Sequence, residues 1–118
     1  SRFRLMPPQP CAQEYVLEYI AKTSYRETEQ GWILKSDPKI SSTYKYNDLH
    51  EMMMNPKTDL EIIYGQLSQV FTPDVLDYMK YAGQLDETKI HRLEGAMHHL
   101  FLDRPLEFKD LVLKILEN

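Results

Sequence analysis

The fold is decided by residues 58–83, which have the sequence TDLEIIYGQLSQVFTPDVLDYMKYAG. In the first part of this stretch the apolar residues recur at intervals of three and four, the spacing of one face of an α-helix. In the second part Thr72 and Pro73 form a typical helix start and Gly83 a typical helix end. The stretch therefore predicts two helices, residues 58–71 and 73–83, joined by a very short connection.

The same helical spacing recurs on both sides of this stretch. It is found from Cys11 to about Thr23, from Asn47 or Asp48 to Met54, after Asp86 as far as Phe101, and from Asp103 to Leu116. Residues 31–46 differ, because an apolar run, a turn signal at residues 36–39 and a segment rich in β-formers follow Gly31. This segment is compatible with a two-stranded hairpin or with an irregular loop.

These patterns predict a mainly α fold, a compact bundle of five or six short helices, with one small β-hairpin around residues 31–46 if that segment is ordered as strands. Residues 1–10 contain three of the seven prolines, and we expect an extended Pro-rich arm there. The length of 118 residues fits one domain, so residues 11–118 are predicted to form a single helical domain.

The composition is that of an ordinary globular domain, with 42% hydrophobic and 27% charged residues. No apolar run approaches the roughly 18 residues needed to span a bilayer, and the first residues lack the features of a signal peptide. Cys11 is the single cysteine, which excludes an intrachain disulfide and favours a reducing compartment. We therefore expect an intracellular protein, cytoplasmic or nuclear. Since the chain lacks an initiator Met, we also expect it to be a piece of a longer protein.

The charge is unevenly distributed along the chain. Residues 1–57 contain eight Lys or Arg and seven Asp or Glu, whereas residues 58–118 contain six and eleven, and the net charge is −4. An acidic second half is poorly suited to nucleic acid, whose phosphates are bound mainly by Lys and Arg. Another protein, or a second copy of this chain, is the partner that we expect.

No Gly-rich phosphate loop, nucleophile motif or cofactor motif is present, so an enzymatic role is not favoured and no cofactor is predicted. The last predicted helix is apolar on two sides, because Leu106 and Leu113 lie opposite its main apolar stripe. They either pack centrally in the domain or contact another chain. With Met53 and Trp32 they are the predicted partner-binding residues of a docking or oligomerisation module within a larger regulatory assembly.

Two alternatives rest on other residues. A winged-helix-like nucleic-acid-binding domain would use the basic and aromatic residues of the N-terminal half, namely Arg2, Arg4, Lys35, Lys39, Lys45, Tyr44 and Tyr46. A metal-dependent activity would use His91, Glu94 and His98, whose spacing places them on one face of the predicted helix. The alternative for these three residues is a solvated helix face with local ion pairs.

Overall fold

The computed structural model describes residues 3–43 and 49–117. In chain order its elements are helix α1 (Glu14–Ser24), strands β1 (Tyr25–Thr28) and β2 (Gly31–Leu34), helices α2 (Ile40–Thr43) and α3 (Leu49–Met54), strand β3 (Ile62–Gly65), helix α4 (Pro73–Gly83), a 3-10 turn (Glu87–Lys89), strand β4 (Ile90–Leu93), and helices α5 (Leu100–Asp103) and α6 (Pro105–Leu116). β1 and β2 are antiparallel, whereas β3 and β4 are parallel. The fold is therefore mixed α/β, and the prediction of a mainly α bundle was wrong.

The predicted helix at residues 58–71 is replaced by strand β3. Ile62, Ile63 and Tyr64 are β-branched or aromatic, and such residues fit the pleated surface of a strand. Gly65 is the last residue of the strand and lies against the backbone of Ala96. A Cβ at this position would collide with the carbonyl oxygen of Ala96. The spacing of apolar residues does not reveal such a contact, because the two backbone segments lie about 30 residues apart in the chain.

The predicted helix after Asp86 is also absent. The Asp86 carboxylate accepts a hydrogen bond from the Thr88 N–H at 2.8 Å, and this contact begins a single 3-10 turn rather than a long helix. The chain then continues as β4, which pairs with β3 from Ile62 opposite Ile90 to Gly65 opposite Leu93. Gly95 has φ +65°, a left-handed conformation that suits glycine and turns the chain after β4.

The hairpin of the structure lies earlier in the chain than predicted. It spans residues 25–34, with Glu29 and Gln30 as its loop, whereas Ile40–Thr43 is a short helix. Gly31 has φ +109°, which allows the chain to leave the loop and enter β2. The part of the predicted hairpin at residues 44–46 lies outside the described residues.

Several predicted helices are confirmed. α4 begins at Pro73 and its last residue is Gly83, after which Gln84 adopts the left-handed conformation with φ 50°. α3 and α6 also form within the predicted ranges, and α1 ends one residue after its predicted end near Thr23. α4 connects the parallel strands β3 and β4, as such strands require a crossover connection. The unit β3–α4–β4 is the part of the fold that positions the charged cluster described below.

Burial is limited in the part of the chain that the structure describes. Its buried apolar residues are Leu5, Ile62, Ala82, Ala96 and Leu100. The Cα radius of gyration is 17.3 Å, compared with about 13.5 Å for a compact domain of this length. The molecule is therefore more extended than the predicted compact bundle. None of the helices formed by residues 3–43 and 49–117 is long and apolar enough to cross a membrane.

The N-terminal arm, residues 3–10, contains no helix or strand and packs on the turn that precedes α5. The Gln9 side-chain oxygen accepts the His99 backbone N–H at 2.6 Å, and the His99 ring Nε2 lies 2.9 Å from the Met6 carbonyl oxygen. Leu5 is buried, although it belongs to this arm. The arm is thus joined to the body of the protein by specific contacts.

Candidate functional site

The outer side of α6 carries a stripe of exposed leucines. Leu106, Leu113 and Leu116 are 68%, 49% and 76% exposed, and their spacing of seven and three residues places them on one side of the helix. The opposite side of α6 is half-buried, and the Phe108 ring lies 6.2 Å from the Phe101 ring of α5. The three leucines are exposed because the other side of α6 faces the protein. We call Leu106, Leu113 and Leu116 the α6 stripe.

Charged side chains flank the α6 stripe. Lys109 and Asp110 form an ion pair of 3.0 Å, Arg104 lies 3.5 Å from Glu107, and the four side chains are between 45% and 69% exposed. Such surface pairs contribute little to stability. An apolar centre with a polar rim of both signs is the composition that protein interfaces show.

A second apolar surface lies between α1 and the hairpin. It is an open groove of about 960 Å³, whose apolar lining includes Leu17, Ala21, Tyr25 and Trp32, with charged residues of α1 at its rim. Trp32, one of the predicted partner-binding residues, is 65% exposed. Met53, another of them, is half-buried in α3 and lines a separate depression together with exposed Met52. The four predicted residues therefore lie on three different surfaces.

A charged cluster joins the two parallel strands. The Lys89 Nζ lies 2.8 Å from Glu61 Oε1, and His91 Nε2 lies 2.6 Å from Glu61 Oε2. The hydrogen bonds from Lys89 and His91 lower the pKa of Glu61, and the Glu61 carboxylate raises the pKa of Lys89. His91 is opposite Ile63, two residues after Glu61, so the cluster lies across the strand pair. These contacts give the cluster a structural role, because they connect the residue before β3 to the start of β4.

A serine–histidine pair lies beyond the carboxyl ends of the same strands. The Ser68 Oγ is 3.1 Å from His98 Nδ1, and the same oxygen accepts the backbone N–H groups of Val70 and Phe71 at 3.3 and 3.1 Å. A nucleophilic serine needs a base that is itself oriented by a third group. Among the described residues no carboxylate bonds to His98, and the Ser68 oxygen already accepts two turn N–H groups. These hydrogen bonds give the pair a structural role, because they stabilise the turn that follows β3.

The residues of the metal hypothesis have separate partners in the structure. His91 bonds to Glu61, the Glu94 carboxylate pairs with Arg92, and His98 bonds to Ser68. The helix that would have aligned them is replaced by β4 and its following turn. Within residues 3–43 and 49–117, no group of three or more His, Cys, Asp or Glu side chains is arranged to hold a metal ion.

The residues of the nucleic-acid hypothesis are only partly described. Arg2, Tyr44, Lys45 and Tyr46 lie outside the described residues. Arg4 is exposed in the arm, whereas Lys35 and Lys39 are exposed after β2 and before α2. The hairpin of the structure consists of residues 25–34, whereas that hypothesis was based on a hairpin at residues 31–46.

Sequence reasoning missed two features that the structure presents. Leu116 was not among the predicted partner-binding residues, yet it is the most exposed leucine of the α6 stripe. Glu61 was not singled out, because its partners Lys89 and His91 lie about 30 residues away and no local pattern reports such contacts. The apolar run of β2 was visible in the sequence, although its partner strand was not identified.

Comparison of the chain with protein-family models, with curated proteins and with solved structures gave no match.

Proposed function

We propose that this chain is a non-enzymatic protein-interaction module that docks another protein on the α6 stripe. The observation that carries the proposal is the exposure of Leu106, Leu113 and Leu116 on one side of a helix whose other side is half-buried. An isolated exposed leucine is ordinary on a protein surface, but three on one helical stripe form a contiguous apolar patch. Such patches with a polar rim are typical of binding surfaces.

The accessible surface of the chain supports the same proposal. It amounts to 9690 Å², whereas a folded monomer of 14.0 kDa is expected to expose about 6,700 Å². The excess of about 3,000 Å² on this one chain is larger than the roughly 1,000–2,500 Å² that a large, obligate interface removes from each partner. Association with a partner would therefore supply burial that the chain does not provide by itself.

The spacing of the α6 stripe indicates the kind of partner that it suits. Leu106 and Leu113 are seven residues apart, and Leu116 follows three residues later, as in one seam of a helical coiled-coil pair. We infer that the partner presents an amphipathic helix with its own apolar seam. In keeping with this role, the module would belong to a larger regulatory assembly whose other members supply that helix.

The proposal is tested by Leu113→Asp. A charge at the centre of the α6 stripe should abolish binding, because burying one leucine contributes about 1.5–3 kcal/mol and a buried carboxylate adds a desolvation cost. Helix content by far-UV circular dichroism and the melting temperature should stay close to wild type, since Leu113 is half-exposed. The measurement is recovery of a partner captured by the wild-type chain, quantified by mass spectrometry.

Leu67→Asp is the matched control, because Leu67 is also exposed (55%) but follows β3 rather than lying on α6. Loss of the partner with Leu113→Asp and its retention with Leu67→Asp would support docking on the α6 stripe. Equal recovery with all three chains would contradict it. A large fall in the melting temperature of Leu113→Asp would show that Leu113 stabilises the fold, and the proposal would lose its main support.

A further inference from the structure

The outer edge of β2 is unpaired in the described structure. Lys35 N–H donates to the Ser24 carbonyl at 2.8 Å, and Tyr25 lies opposite Leu34, so Ser24 and Lys35 are a hydrogen-bonded pair of the hairpin. Hydrogen-bonded and non-bonded pairs alternate in antiparallel strands. The N–H and C=O groups of Trp32 and Leu34 therefore point away from β1, and no backbone bond joins them to another described residue.

The edge also lacks the features that normally prevent strand pairing. Trp32, Ile33 and Leu34 are 65%, 41% and 49% exposed, and β2 contains neither a proline nor a charged residue. Natural proteins usually protect an edge strand with a charge, a proline, a bulge or a covering element. An isolated two-stranded hairpin is also only marginally stable, whereas three or more strands with an apolar face are stable.

We propose that β2 pairs antiparallel with β2 of a second copy of this chain, giving a symmetric four-stranded sheet in the order β1–β2–β2–β1. The two-fold axis passes beside Ile33, so that Trp32 lies opposite Leu34 of the second copy. This register is selected because Trp32 and Leu34 then exchange both of their outward N–H and C=O groups. It forms four intermolecular backbone hydrogen bonds, two on each side of the axis.

The side chains and charges fit the same register. Trp32 and Leu34 lie on one face of the hairpin with Tyr25, the face that forms a wall of the groove beside α1. Pairing therefore joins the two apolar grooves and places Trp32 of each copy beside Leu34 of the other, an apolar cross-strand pair. Lys35 of each copy comes opposite Gly31 of the other, next to the loop that carries Glu29, so the charges at both ends of the joined strands are complementary.

Pairing would cover apolar side chains that the single chain leaves exposed. The chain as a whole exposes about 3,000 Å² more than a compact monomer of its mass, and Trp32, Ile33 and Leu34 of the β2 edge contribute to this exposed surface. The β2 edge and the α6 stripe consist of different residues, so this inference goes beyond the proposed function and does not depend on it.

Sedimentation velocity of the full chain over a concentration series tests the dimer. The decisive variant is Leu34→Pro, because proline removes the outward N–H, leaves the bonds to β1 intact and favours the extended conformation already present at Ile33. Its matched control is Leu34→Thr, which changes the same side chain but keeps the N–H. We expect a wild-type dimer, a dimer with Leu34→Thr, and dimerisation weakened about tenfold or more with Leu34→Pro, since each copy loses a bond.

A charge-exchange experiment tests the position of the two-fold axis. Ile33 would lie opposite itself, so Ile33→Lys and Ile33→Glu should each be monomeric through like-charge repulsion, and an equimolar mixture should form the mixed dimer. Far-UV circular dichroism of each variant checks that the fold is retained. A mixture that stays monomeric would overturn this register.

Two further outcomes would overturn β2 pairing. One is a wild-type chain that is monomeric at every concentration, in which case the edge is unpaired or accepts a strand of a different protein. The other is a dimer that persists in Leu34→Pro and dissociates in Leu113→Asp. That result would place the contact on the α6 stripe, and the proposed function would stand without the β2 dimer.

Discussion

At the scale of single residues, Gly65 shows how closely the end of β3 approaches the backbone that follows β4. The carbonyl oxygens of Ala96 and Met97 occupy the space that a side chain at this position would need. Backbone atoms cannot rotate away as a flexible side chain can, so the strand pair must shift if a methyl group is added. The requirement for glycine here therefore comes from packing across the chain rather than from a turn.

Gly65→Ala should lower the free energy of unfolding by about 3 kcal/mol, the upper range for overpacking a tight site. Chemical denaturation followed by circular dichroism measures the change. Gly83→Ala is the control, because its nearest neighbours are the side-chain atoms of Leu85 at 3.0–3.1 Å, which can move. If the two variants were equally stable, the close approach at Gly65 would not be a constraint on the fold.

The Glu61 cluster predicts a pH dependence with a defined sign. Hydrogen bonds from Lys89 and His91 lower the pKa of Glu61 below its ordinary value of 4.5. A carboxyl with a lowered folded-state pKa stabilises the fold above pH 4.5, and this contribution is lost as the pH falls through the folded-state value. The stability of the wild-type chain should therefore decrease on acidification in that range.

Glu61→Gln should remove this dependence, because glutamine cannot ionise. The difference in unfolding free energy between wild type and Glu61→Gln should be largest near neutral pH and should shrink below pH 4.5. Denaturation series at several pH values measure it, with Glu117→Gln as the exposed control for loss of one negative charge. A difference that stays constant across the acidic range would show that the cluster does not stabilise the strand pair.

At the scale of elements, the 3-10 turn before β4 depends on one capping residue. Asp86 accepts hydrogen bonds from the hydroxyl of Thr88 and from its backbone N–H, and these bonds lower the pKa of Asp86. The turn directs the chain from α4 into β4, so the cap helps to bring the second parallel strand beside the first.

Asp86→Ala should lower the free energy of unfolding by about 1 kcal/mol, the usual loss when a capping side chain is removed. Asp86→Asn should remain close to wild type, because the asparagine side-chain oxygen can accept the same N–H. Thermal unfolding of the three chains provides the comparison. An Asp86→Asn variant as unstable as Asp86→Ala would mean that the charge, rather than the hydrogen bond, is what matters.

The elements also show why some predictions succeeded and others failed. α4 and α6 have proline at their starts and apolar residues at helical spacing, and both formed as predicted. In residues 60–71 and 90–101 the same spacing occurs, yet β3 and β4 formed there. A run such as Ile62-Ile63-Tyr64 satisfies a helical stripe and a buried strand equally well, so the pattern alone does not decide between them. The parallel partner 28 residues away favours the strand.

At the scale of the whole molecule, the chain buries little and exposes much. Buried apolar residues are few in the described part, while Trp32 and the α6 stripe are exposed. A chain that leaves such apolar side chains in water forgoes part of the main favourable contribution to folding. Both proposals follow from this property. Docking on α6 and pairing through β2 would each cover apolar surface that the single chain leaves open.

The sequence by itself determined the helices with clear starts, the lack of a local catalytic motif, and the second apolar side of α6 at Leu106 and Leu113. These features depend on neighbours a few residues apart, which a linear pattern records. The tertiary structure alone decided that β3 and β4 are strands, that Glu61 meets Lys89 and His91, and that among the described strands only β1 pairs with β2. Those features depend on which distant segments lie side by side, and backbone pairing across the chain leaves no periodic signal in the sequence.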